Sequence, residues 1–327
     1  MKLNVVRVAA LVALSTAGQA AELRLSGPYI YNNLYIYLVH GQDRVQTKYL
    51  TLAEALAQHK VVVYETGSVN QLQVENLSAE NVYIQSGEIV KGGRQDRVLK
   101  DDVILESKSG KVDITAFCVE HGRWTQRGQE PVQAFAAAPN AIASPEMKRA
   151  VMQAGNQSAV WGEVAAAQDR LAKNLNAPVK AAASESSYQL TLEAPKVRQT
   201  ADAFKQALGG LADKYADALG YVVAVNGKVT GSDLYATHEL FQKLWPKLLE
   251  SAAVEAMASA TPGVTVSAPA MADVRAAATG YGARVSAEKQ INQRTDSVKA
   301  ELPQGLVFET RDATAPAQPV HRSYVAK

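Results

Sequence analysis

The chain of 327 residues holds a single cysteine, Cys118. That excludes an intramolecular disulfide, so a packed core must supply the stability. Charge of one sign is also lacking. Lys and Arg total 34 against 32 Asp and Glu, and two of the cations fall in the first 20 residues, which carry no acid. The remainder balances at 32 of each, which argues against a nucleic-acid binder, whose footprint is strongly basic. No run approaches the ~20 apolar residues needed to span a bilayer. Five histidines, at 40, 59, 121, 238 and 321, show no ligand spacing, and HExxH and CxxC are absent, so neither metal nor cofactor is expected. There is no Walker loop, GxGxxG or GxSxG elbow either.

What is present begins with MKLNVVRVAALVALSTAGQA. Lys2 and Arg7 precede a short apolar run at 8–14, and Gly18 and Ala20 suit the −3 and −1 positions of a cleavage site. The pattern predicts a signal peptide over 1–20 and export to the periplasm. The rest, 21–327, is expected to form one composite domain of α+β class. Its β-rich part covers about 27–135, as an antiparallel sandwich or partial barrel, and its helical and hairpin-containing part about 145–327. A Ser/Ala/Pro-rich loop is expected at 177–199.

Within this frame YIYNNLYIYLVH, 29–40, alternates as one strand with Tyr29, Tyr31, Tyr35 and Tyr37 on one face, more plausibly packed than a stacking platform. Thr51 and Glu54 form a capping box. Residues 200–219 read as a helix ended by Gly220. Asn226-Gly227 marks a hairpin, and Asp233 is taken as the cap of an apolar-striped helix that Pro246 should kink or break.

Two charged motifs stand out. GEIVKGGRQDR, 87–97, follows a strand and pairs Gly92-Gly93 with Lys91, Arg94 and Arg97. Consecutive glycines at positive φ turn successive N–H groups inward as an anion-holding nest, and Arg matches carboxylate or phosphate with a fork of donors. The competing expectation is a turn whose arginines pair with nearby aspartates to fix strand order. FCVEHGRW, 117–124, brings Cys118, Glu120, His121, Arg123 and Trp124 to a strand end. Strand alternation places Cys118 beside Glu120, which disfavours a thiolate, so a buried inert cysteine is the stronger expectation.

These motifs, with VENLS near Glu75, SAVW at 158–161, VNGKVTGSDLY at 225–235 and FQKLWPKLLES at 241–251, occur in an order and spacing that resembles the ARG-and-rhodanese-phosphatase-superfamily-associated domain family. The likeness spans about 27–324. It implies a shared fold and a shared central site but no reaction. The leading functional expectation is a binding module for a small anionic ligand, phosphate- or carboxylate-bearing, held by Lys91, Gly92, Gly93, Arg94, Arg97, Arg123 and Trp124. The alternatives are a hydrolase using Glu88, Glu120 or His121 as acid or base, with Cys118 as a weaker nucleophile candidate, and a structural envelope protein.

Overall fold

The structure is a computed structural model that describes residues 23–261, 263 and 267–327. The expected signal peptide, 1–20, lies outside the described residues. The fold is α+β and almost wholly antiparallel.

An eight-stranded sheet runs in the order Arg24–Tyr31, Leu34–His40, Ala218–Val225, Lys228–Tyr235, Pro319–Ala326, Gly305–Asp312, Thr295–Leu302, Arg284–Gln290. It therefore joins an N-terminal hairpin to strands from the last third of the chain. A second sheet of six strands runs Phe135–Ile142, Glu88–Gly92, Arg97–Leu99, Gly110–Cys118, Gln71–Asn76, Val61–Glu65. Its two ends meet at a Tyr64–Ala134 bridge and at the Glu65 N–H bond to the Gln133 carbonyl (3.1 Å), so this sheet is a nearly closed barrel. A small sheet of Leu50–Thr51, Val82–Ile84 and Val103–Leu105 contains the parallel pair Leu50–Thr51/Val82–Ile84.

The helix His238–Ala258, capped by the Thr237 hydroxyl, packs against one face of the large sheet and against the barrel strand Phe135–Ile142. Its row Leu240, Phe241, Leu244, Trp245, Leu248, Leu249 and Ala252 is fully buried, and one core joins it to Ile89, Val98 and Phe117 of the barrel. At ~25 cal/mol per Å² of apolar surface removed from water, this shared core is the main attraction between the two sheets.

Several local expectations are corrected. The 29–40 segment is a hairpin, not one strand: Asn32, at φ 52°, turns the chain between Tyr31 and Leu34. After the turn Ile36 and Leu38 face the helix-side core while Tyr35 and Tyr37 face the opposite one, whereas Tyr29 and Tyr31 pack on the helix side. The four tyrosines thus do not share a face. The expected loop at 177–199 contains the helix Tyr188–Leu192 and the start of Pro195–Leu208. Ser187 caps the first by accepting from the Leu190 N–H, Tyr188 and Leu192 bury, and Pro195 fits the first turn of the second. That second helix ends at Gly209 rather than Gly220, and 218–225 is strand. Pro246 does not break its helix, because it lies on the exposed face, where the carbonyl it leaves unpaired is open to solvent. Asp233 caps nothing; it is a buried residue of the strand Lys228–Tyr235.

Candidate functional site

The paired-glycine corner has the expected backbone, with Gly92 at φ 120° and Gly93 at φ 54°. A side chain at Gly93 would collide with Phe135, whose ring carbon would lie 2.3 Å from the new Cβ. The inward N–H groups do hold carboxylates, and they are the protein's own. Gly92 N–H donates to Asp96 Oδ1 (3.1 Å), Arg94 N–H to Glu65 Oε2 (3.0 Å) and Asp96 N–H to Glu120 Oε2 (3.1 Å).

The cations around the corner follow suit. Arg127 grips Asp96 with both terminal nitrogens (2.9 Å each) and reaches Glu120 Oε1 at 3.2 Å. Arg123 meets Glu120 at 2.8 Å, and Lys91 meets Glu193 at 2.6 Å. Arg97, wholly buried, lies 3.5 Å from Glu65 and donates to the Gln95 carbonyl. Arg94 is held differently, over the face of the half-exposed Trp124 ring at 5.5 Å. Burial pushes the Asp96 carboxyl up despite Arg127. It pushes Glu120 up as well, but the bonds from Arg123 and its neighbours outweigh that and hold Glu120 below its usual value. All seven expected ligand-binding residues thus gather in one place, together with acids that already occupy most of their donors. Arg127, which anchors the network, carried no signal in its own motif; only its spacing of seven from Glu120 marks it.

The four acid–base and nucleophile candidates are held apart by different partners. Glu88, wholly buried, bonds Lys247 of the long helix at 2.7 Å. Glu120 belongs to the arginine network. His121 is exposed, its ring edge-on to Trp161 at 4.4 Å. Cys118 is buried, and burial pushes its thiol up to about 11.

A different cluster lies where the large sheet meets the barrel. Here Asp102 follows the strand Arg97–Leu99, Lys148 comes from the helix Pro145–Arg149, and Asp233 and His321 sit on paired strands in which Tyr235 opposes His321 and Asp233 opposes Ser323. His321 and Asp233 are therefore diagonal neighbours across one ladder. His321 donates from Nδ1 to Asp102 Oδ2 (2.7 Å) and from Nε2 to Asp233 Oδ1 (3.0 Å), with the Tyr235 ring stacked on it at 4.7 Å. Asp102 also accepts from the Tyr83 and Thr310 hydroxyls and the Ser86 N–H. Asp233 accepts from Tyr221 and, at 3.4 Å, from Lys148.

Burial alone would push the imidazole down, but the two aspartates raise it to about 9, so it stays a cation at neutral pH. Burial likewise works against ionising the aspartates. The charges of His321, and of Lys148 beside Asp233, hold both carboxyls below their usual values.

His321 forms part of the wall of a cavity of about 170 Å³. Lys100, Lys148, Lys289 and Lys299 also line it, against the acids Asp101 and Asp102. Lys289 comes within 4.0 Å of Asp101, but Lys100 and Lys299 form no ion pair among the described residues. Strand register explains the convergence: Lys299 opposes Ala287, and Lys289 opposes Ser297, all four lining the same hollow. No group of three or more His, Cys, Asp or Glu suited to a metal occurs among the described residues.

A family model described as the ARG and Rhodanese-Phosphatase-superfamily-associated Protein domain matches residues 22–325. The chain belongs to this family. Neither the curated proteins nor the solved structures give a match. The family match covers the barrel, the large sheet and the long helix alike, so both the arginine corner and the lysine cavity lie inside the ARG and Rhodanese-Phosphatase-superfamily-associated domain. No helix among the described residues is long and apolar enough to cross a membrane.

Proposed function

We propose that this protein is an exported binding module for a small anion, phosphate- or carboxylate-bearing, and that the anion sits in the lysine-lined cavity rather than at the glycine corner. The observation that carries this reading is the surplus of cation there. Four lysines and the His321 imidazolium line the hollow, against Asp101, Asp102 and the adjoining Asp233, and Lys100 and Lys299 form no ion pair among the described residues. Partly buried lysines beside an open hollow favour an anion as counter-charge, while a neutral ligand would leave them uncompensated. The volume is below the ~300–1,000 Å³ of drug-sized pockets, a size for phosphate, a short dicarboxylate or the phosphate end of a sugar phosphate. His321, Ser86, Thr310 and Ser323 supply donors or hydroxyls at the wall. The leader pattern at 1–20 supports export.

Thermal-shift titration of the purified protein with inorganic phosphate, a sugar phosphate and a short dicarboxylate tests the reading. At least one should raise the Tm by several degrees at millimolar concentration, and the double variant Lys100→Gln/Lys299→Gln should lose that shift while melting near wild type. An unchanged shift in the double variant would remove the site.

A further inference from the structure

A second cavity, of about 400 Å³, opens on the far side of the helix Pro145–Arg149. Its wall includes Glu255, from the last turn of the long helix, which is only 2 % exposed. No cationic side chain pairs with this carboxyl among the described residues. Its recorded bond is from the Glu146 N–H to Oε2, at 3.3 Å. A buried carboxyl without a counter-charge is costly to ionise. Burial accordingly pushes Glu255 up to about 8, and the neighbouring Glu146 carboxylate adds to the effect.

The other charged and titratable groups at this cavity come from every element around it. Glu146 is already engaged by Arg170 at 2.5 Å. Arg149, half-buried on the same helix as Glu146, has no carboxylate within ion-pair distance. Lys228, Asp273, Tyr324 and Lys327 stand at the rim or wall. The hydroxyl of Thr230, also on the wall, stands beside the Glu255 carboxyl. The hollow therefore presents a buried acid with no ion-paired cation and, on the neighbouring helix, an arginine with no ion-paired carboxylate.

We infer that this second cavity is a site for a small zwitterion of the amino-acid class, its ammonium facing Glu255 and its carboxylate facing Arg149. An ammonium supplies the counter-charge that Glu255 lacks, so the carboxyl gives up its proton to solvent as the ligand enters. The ligand's own ammonium stays protonated. A simple anion would leave Glu255 without a counter-charge and meet Asp273 unfavourably, and a simple amine would leave Arg149 unpaired. The inference is independent of the lysine cavity, which draws on other residues except for the shared helix.

Isothermal titration with a panel of free amino acids, in two buffers of different ionisation enthalpy at pH 7, tests it. A simple alkylamine and a simple carboxylate serve as controls. At least one amino acid should bind with release of close to one proton, and both controls should bind at least tenfold more weakly. Glu255→Gln, an isostere of the protonated acid, should fold as wild type, abolish the proton release and weaken binding at least tenfold. Arg149→Gln should weaken amino-acid binding similarly without changing the response to the amine. Absence of heat for the whole panel, or binding that is equal in Glu255→Gln, overturns the inference. An amine binding as tightly as the amino acid overturns the role of Arg149 and with it the zwitterion.

Discussion

The glycine corner and the lysine cavity carry similar charge and treat it in opposite ways. At the corner, arginines meet carboxylates in forks: Arg127 holds Asp96 at 2.9 Å through both terminal nitrogens, and Arg123 holds Glu120 at 2.8 Å. In the cavity, lysines from two strands, a helix and a loop stand around a space, and the ion pairs those lysines make with acids are long, 3.4 Å from Lys148 to Asp233 and 4.0 Å from Lys289 to Asp101. The planar guanidinium is suited to a fixed internal partner, whereas an ammonium on a flexible stem can turn to a transient one. A cationic motif is thus evidence of charge, and only the geometry says whether that charge is free.

The comparison breaks first at Arg127. Arg127→Met would leave Asp96 buried without its main cation and Glu120 with Arg123 alone, and removing one partner of such a pair costs ~3–5 kcal/mol. Urea denaturation should show a loss of that order, with the anion-induced Tm shift retained in the molecules that fold. A variant that stayed stable and lost the shift would reverse the roles of the two regions.

The pH dependence separates the second region from the first. His321 is raised in the folded state from an ordinary 6.5 to about 9, so the stability it contributes is fully present below about pH 6.5 and is lost as pH rises through 9. Glu255, an acid raised from 4.5 to about 8, also lowers stability as pH rises, but over the window from 4.5 to 8. Denaturation midpoints should therefore fall from pH 5 to about 9 and level off above that. Glu255→Gln should flatten the lower part and His321→Gln the upper part, each by on the order of 1–3 kcal/mol. A profile with no fall above pH 8 would mean that His321 is not held as a cation.

A smaller effect is expected on stability, and a clear one on binding, for Lys100→Gln and Lys299→Gln singly. With no internal partner to lose, each should stay within ~0.5 kcal/mol of wild type. Anion affinity should fall severalfold for each and decline with added salt, since half-buried ammonium groups are screened.

Much of the fold was legible where local chemistry and packing agree. Thr51 and Glu54 cap their helix as read, and Asn226-Gly227 turns its hairpin with φ of 52° and 74°. The 29–40 segment misled because its turn residues, Asn32 and Asn33, sit inside an unbroken apolar alternation. Pro195, read as part of a loop, instead opens a helix. The corner's residues were legible as a cluster because they are close in sequence. The lysine cavity was not, because Asp102, Lys148, Asp233 and His321 come from a loop, a helix and two paired strands, with Asp102 and His321 bonded across 219 positions. Asp233 was hidden further by its place five residues before a helix, where a carboxylate reads as a cap. A lone histidine in a late strand carries no spacing signal; its meaning comes from the two aspartates that flank it.

Cys118 offers the finest probe of the comparison, because it reports on the corner without altering it. The thiol lies at the end of the strand that pairs with Arg97–Leu99, wholly buried, with Sγ 3.8 Å from the Val69 carbonyl. With the thiol pushed up to about 11 by burial, about one molecule in a thousand carries the thiolate at pH 8. Alkylation by iodoacetamide should therefore be far slower in the native protein than in urea, and should accelerate in Arg127→Met, where the network beside the strand end is loosened. Anion binding in the lysine cavity should leave the rate nearly unchanged if the two regions act independently. A rate that dropped with bound anion would show that the corner and the cavity are coupled through the barrel strands, and the contrast between fixed and free charge would then describe two ends of one device.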